Sequence, residues 1–139
     1  MTMNKNIERF PTPLPVPFSK AVKANGFVFL SGQLAMDASG GIVGADVQAQ
    51  TRIVLERIAA TLQEVGSSMA DVVKATVWLS TLDDFAAFNE EYRKHFAGGL
   101  PTRSTVEARL YKGALVEIEV QAIGKAGGVQ AGHRCLLVK

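Results

Sequence analysis

The sequence predicts a single α+β domain whose elements run β-β-α-β-α-β-β. Three observations carry this. Two separate segments repeat apolar residues at three- and four-residue steps, the pattern of amphipathic helices. Five short runs rich in β-branched and aromatic residues lie around them and suit strands. The chain has 139 residues, within the ~100–150 residues at which single domains cluster, and it shows no internal repeat.

Pro11, Pro13, Pro15 and Pro17 alternate with other residues and are four of the five prolines. Their restricted φ angles make residues 1–17 an extended N-terminal arm laid over the domain. The domain itself takes residues 18–125, and residues 126–139 form a C-terminal tail. Lys20 to Ala24 and Phe27 to Ser31 flank Asn25-Gly26, a pair suited to a type I′ turn, so the first two strands form a hairpin. A second turn falls at Asp37-Ala38-Ser39-Gly40-Gly41. Asp46 can cap a helix that runs to about Val65, with Val47, Thr51, Val54, Ile58, Leu62 and Val65 on one stripe. Gly66 ends it where left-handed geometry is cheap.

Val72 to Leu79 reads as the third strand. Thr81 and Asp84 then give a helix-start signal, and Phe85, Phe88, Tyr92 and Phe96 line one face of the second helix before Gly98-Gly99 stop it. An aromatic stripe of this spacing is expected to be core. Thr102 to Arg109 and Leu115 to Ile123 complete the strands, joined around Lys112-Gly113. Gly127-Gly128 and Gly132 make the tail loose, with Cys135 to Val138 a candidate edge strand.

Alternation along the last strand sends Val116, Ile118, Val120 and Ala122 one way, and Leu115, Glu117, Glu119, Gln121 and Ile123 the other. On the second strand, Phe27 and Phe29 oppose Val28 and Leu30. If both helices cover one face, the other face keeps large apolar residues that self-association would bury.

Composition excludes several functions. Fifteen Lys plus Arg against 13 Asp plus Glu give a formal charge of +2, too small to mark a nucleic-acid binder. A hydrophobic fraction of 47% argues against disorder. Two histidines and one cysteine fall short of the four ligands a structural zinc takes, so no metal is expected. The lone Cys135 suits a reducing cytoplasm. Residues 1–10 lack the apolar core of a secretory signal, and no apolar run reaches the ~18 residues of a membrane span.

Familiar catalytic patterns are missing: no G-x-S-x-G, P-loop or H-E-x-x-H occurs. His95 sits near the end of the aromatic helix, where it favours the negative dipole end. His133 lies in the tail, and Trp78 reads as a packing residue. The pair that stands out is Arg103 with Glu117. Antiparallel pairing of their strands would bring their regions together. A guanidinium fork holds a carboxylate bidentately, and a neighbouring carboxylate can orient or deprotonate water. An ordinary cross-strand ion pair accounts for the same residues.

Ser31-Gly32-Gln33 after the Asn-Gly hairpin, Thr81-Leu82-Asp83-Asp84-Phe85 with Asn89, Tyr92 and Phe96, and Pro101-Thr102-Arg103-Ser104-Thr105-Val106-Glu107 followed by Val116-Glu117-Ile118-Glu119 occur in one order. In these motifs, over roughly residues 18–125, the sequence resembles the RidA (YjgF) family of reactive-imine deaminases. The resemblance implies a chorismate-mutase-like fold, two helices on one face of the sheet, and a homotrimer with active sites in the clefts between subunits. It implies cofactor-free hydrolysis of enamine/imine acids of the 2-aminoacrylate/2-iminopropionate type to 2-keto acids and ammonia. Arg103 would clamp the substrate carboxylate and Glu117 would activate water. Ser31 and Gly32 would contact substrate through their backbone, and Asn89 would shape the cleft. Two wall residues depart from the family pattern: Phe18 stands where Tyr is common and Thr105 where Cys is common. The alternatives are a non-catalytic small-carboxylate binder, a deaminase for another unsaturated amino acid, and, least favoured, an endoribonuclease.

Overall fold

Asn25 and Gly26 both take positive φ, 56° and 84°, as a primed turn requires. They join strands β2 (Ser19–Ala24) and β3 (Phe27–Leu30), and Ala21 pairs with Leu30 and Ala24 with Phe27. The computed structural model describes residues 6–124. The tail, with the strand expected at Cys135 to Val138, lies outside the described residues.

Ahead of this hairpin, Ile7–Pro11 is itself a strand, β1, paired antiparallel with β2 and with its register broken between Phe10 and Pro11. The sequence reading made this stretch part of an extended arm and so counted one strand too few. A proline cannot donate to a ladder, so it sits at the irregular end of an edge strand.

Helix α1 spans Val47–Glu64. The Asp46 side chain accepts from the Ala49 amide at 2.8 Å, and Val65 and Gly66 close the other end, Gly66 at φ +85°. Strand β4 is Val72–Leu79. Thr81 then caps a short 3-10 turn, Leu82–Asp84, by accepting from the Asp83 amide at 3.1 Å. Helix α2 follows over Phe85–Tyr92, ending in a second such turn at Arg93–His95. Strands β5 (Thr102–Glu107) and β6 (Val116–Ile123) come last.

The six strands form one mixed sheet in the order β1-β2-β3-β6-β4-β5. Strand β4 pairs antiparallel with β6 and parallel with β5. The expected pairing of the last two strands is therefore corrected, because β4 lies between them. The segment after β5 passes around the end of β4: the Ala108 amide donates to the Leu79 carbonyl and the Ser80 amide to the Leu115 carbonyl. A parallel β4–β5 pair needs a crossover, which the α2 segment supplies.

One face of the sheet carries the core. Val28, Leu30, Ala75, Val77, Leu79, Val116, Ile118 and Val120 pack with Val54, Leu55, Ile58 and Leu62 of α1 and with Phe88 and Tyr92 of α2. Each Val, Leu, Ile or Phe among them contributes roughly 1.5–3 kcal/mol when fully buried. The opposite face has no helix among the described residues, and Phe27, Phe29 and Ile123 stay exposed there.

Candidate active site

The residues singled out from sequence fall into two clusters, and they occupy opposite faces of the sheet. Directly paired residues share a face. Arg103 pairs with Ala75 and Thr105 with Val77, both on the core face. Glu117 pairs with Trp78, on the face without helices. Within one chain the two groups do not meet.

The first cluster is built by β5 and α2. The Arg103 guanidinium carbon lies 5.5, 5.2 and 4.8 Å from the ring centres of Phe85, Phe88 and Tyr92. Those rings recur at three- and four-residue steps on α2, so one face of the helix presents them together. Each contributes cation–π attraction, and together they fix the fork's direction. Among the described residues no carboxylate forms an ion pair with Arg103. Asn89, Tyr92, Arg93, Leu100, Pro101 and Arg103 line a cavity of about 260 Å³, room for a metabolite of a few heavy atoms.

Three buried polar atoms in this region lack a hydrogen-bond partner: Asn89 Oδ1, Tyr92 Oη and Thr105 Oγ1. Burial pushes the Tyr92 phenol above its ordinary pKa, and the nearby Arg103 charge opposes that shift. Sequence reasoning placed Tyr92, Phe85 and Phe88 in the core alone. The signal that finds their second role is Arg103 on the strand packed against the same helix face.

The second cluster gathers Ser31, Gly32 and Glu117. Strand pairing continues past β3, with the Gln33 amide donating to the Ile118 carbonyl at 2.8 Å and the Ile118 amide returning to Gln33 at 3.1 Å. This lays Gly32 against Glu117: a Cβ at Gly32 would overlap Glu117 Oε2. Gly32 thus lets the Glu117 carboxylate keep its position. The Ser31 hydroxyl donates to the Ser19 carbonyl at 2.7 Å, tying the cluster to the residue after Phe18, whose side chain is 56% exposed. Burial, and secondarily repulsion from Glu119, pushes the Glu117 carboxyl above its ordinary pKa. A half-desolvated carboxylate of this kind is poised to exchange protons closer to neutrality.

His95 has a different partner from the one expected. Its Nε2 lies 2.8 Å from Oε2 of the buried Glu91, one helical turn back. Among the described residues no group of three or more His, Cys, Asp or Glu is placed to hold a metal ion, and no helix is long and apolar enough to cross a membrane.

The family model described as Endoribonuclease L-PSP matches residues 11–124. A RutC family protein of Pyrococcus abyssi is 44% identical over 117 residues, covering 83% of this chain and 91% of the relative. The Escherichia coli K12 protein TdcF, provisionally named a reactive intermediate deaminase, is 39% identical over 129 residues, 89% of this chain and all of the relative. Among solved structures, RidA from an Antarctic Psychrobacter has a TM-score of 0.75 at 34% identity, covering 86% of this chain and 99% of that one. Yeast Mmf1 has a TM-score of 0.80 at 32% identity with the same coverage.

Proposed function

Because the chain belongs to the Endoribonuclease L-PSP family, which includes the RidA/YjgF and RutC proteins, we propose that it hydrolyses reactive enamine and imine acids to 2-keto acids and ammonia. The observation that carries this reading is the Arg103 guanidinium. It is aimed by three rings, borders a small cavity and has no carboxylate partner among the described residues. A preorganised, unpaired fork of this kind is an acceptor site for a small carboxylate.

The site is completed by a second copy of the chain. Glu117 lies on the helix-free face, which carries exposed Phe27, Phe29 and Ile123, and a neighbour that buries those residues also covers Glu117. A cyclic trimer, as the family resemblance implies, sets the Arg103 pocket of one subunit against the Glu117 cluster of the next.

In this assembly Arg103 holds the substrate carboxylate and so presents the adjacent C=N carbon. Glu117 takes a proton from water as the oxygen bonds to that carbon, and the C=N π electrons move onto nitrogen, to which Glu117 delivers that proton. In collapse of the resulting carbinolamine Glu117 takes the hydroxyl proton as a C=O bond forms and the C–N bond breaks. It passes that proton to the departing nitrogen, so imine acid plus water gives keto acid plus ammonia. No metal or organic cofactor is needed for this balance. Phe18, Ser31, Gly32, Asn89 and Thr105 wall the reacting volume. The +2 charge and lack of a basic stripe make RNA cleavage the weaker reading, and the lone cysteine suits work in the cytoplasm.

The test is decay of imines generated by an amino-acid oxidase, followed by keto-acid and ammonia release. Wild type accelerates decay, and Arg103→Ala abolishes the acceleration because each charge-assisted bond lost from the clamp costs about 1.5–3 kcal/mol. Decay no faster than in buffer, with small acids still bound, would leave a binding protein instead.

A further inference from the structure

The Arg103 cavity contains a hydroxyl that the clamp alone leaves unexplained. Tyr92 is 4% exposed, its ring packs beneath the guanidinium at 4.8 Å, and it lines the cavity. Its ring also stacks obliquely between Phe88 and Phe96, with centroids 5.2 and 4.8 Å away. Packing of the ring needs only phenylalanine. The hydroxyl is nonetheless present and buried; the Arg103 side chain lies close enough to donate to its oxygen, but no group among the described residues accepts its proton, an arrangement that native proteins seldom keep without a ligand or water to satisfy it.

Asn89 and Tyr92 are three residues apart on α2 and so share a helix face, and Thr105 lies on the same face of β5 as Arg103. Asn89 and Tyr92 therefore line the cavity beside Arg103. We propose that the Tyr92 hydroxyl contacts the substrate, donating a hydrogen bond to the carboxylate held by Arg103. The phenol stays protonated in this setting, since burial raises its pKa; it is a donor, as an anionic ligand requires. The carboxylate then has the fork on one side and the phenol on another, which fixes its rotation as well as its position. A neutral amide in the same place has only one good acceptor and gains less from the second donor. The site therefore selects ionised acids over their neutral isosteres by more than charge alone.

This inference rests on the carboxylate-clamp reading of Arg103, and its test is independent of turnover. Pyruvate and pyruvamide are titrated into full-length wild type, Tyr92→Phe and Arg103→Ala by NMR or calorimetry, with thermal melting and gel filtration as folding controls. Tyr92→Phe keeps the ring and is expected to weaken pyruvate binding about tenfold, to change pyruvamide binding much less, and to melt no lower than wild type. Pyruvate affinity equal to wild type in Tyr92→Phe, or equal losses for acid and amide, would overturn it. So would failure of wild type to bind pyruvate. If pyruvate binding falls as expected but imines decay no faster than in buffer, the deaminase reading fails and the Tyr92 contact stands.

Discussion

The two halves of the candidate site are built by opposite means. Arg103 is held inside the chain's own packing, with Phe85, Phe88 and Tyr92 within 5.5 Å of its guanidinium carbon and the core beneath them. Glu117 sits on a sheet face that no helix covers among the described residues, given room by the absence of a side chain at Gly32. In the proposed reading the binding half is finished when the chain folds. The proton-handling half is only part-buried, and in that reading a second copy covering its face completes its surroundings. This division separates affinity from chemistry, so the two should respond differently to substitution.

The largest effect comes from separating the halves onto different chains. Arg103→Ala and Glu117→Gln are each expected to abolish imine hydrolysis as pure assemblies, since a positioned acid–base group contributes about 10²–10⁴-fold. Glu117→Gln should retain pyruvate binding. Co-refolding the two variants in equal amounts should restore about a quarter of wild-type turnover, the fraction of shared clefts that receive both intact residues. Turnover that stays at the level of the pure variants would show that each site draws both residues from one chain, breaking the comparison.

A smaller effect tests the second half alone. Gly32→Ala would put a Cβ onto Glu117 Oε2, so the carboxylate must move. That displacement lowers kcat on the order of a hundredfold, while KM, set by the remote Arg103 pocket, changes little. Steady-state kinetics on oxidase-generated imines would check the split, and a rise in KM with unchanged kcat would contradict it.

The smallest effect is in pH dependence. Burial first and Glu119 second raise the Glu117 pKa. Only the ionised form accepts a proton from water, so the acid limb of kcat/KM lies above the ordinary carboxylate range. In Glu119→Gln the repulsion is gone but burial persists, and the limb should move down slightly in pH without reaching that range. The linked stability effect has the opposite sense. Across the window between the unfolded and raised folded pKa, the folded chain binds more protons, so this group lowers stability as pH rises through it. Glu117→Gln should therefore melt less steeply with rising pH than wild type.

Much of the fold was legible because local chemistry settles it. Asn25-Gly26 closes the first turn, Asp46 caps α1, and the apolar stripe of α1 is buried where its spacing requires. The alternation of β6 separated core residues from Glu117 and Glu119 correctly. Two features escaped. Ile7–Pro11 carries too few apolar residues and ends in a proline, so its strand pairing comes from β2 offering an open edge. The insertion of β4 between β5 and β6 leaves no mark on periodicity, because a strand's alternation is the same whichever neighbour it pairs with.

That insertion also decides how the site is read. By itself, the sequence determined the secondary elements other than β1, the face each side chain takes on its own strand, and the motifs that carry the family resemblance; all of these depend on residues close together in the chain. Only the tertiary structure decided that Arg103 and Glu117 face away from each other and that the aromatic stripe of α2 cradles the guanidinium. Those relations join β5, α2, β6 and the segment around Gly32, and they exist only once the parallel β4–β5 crossover has set which faces coincide.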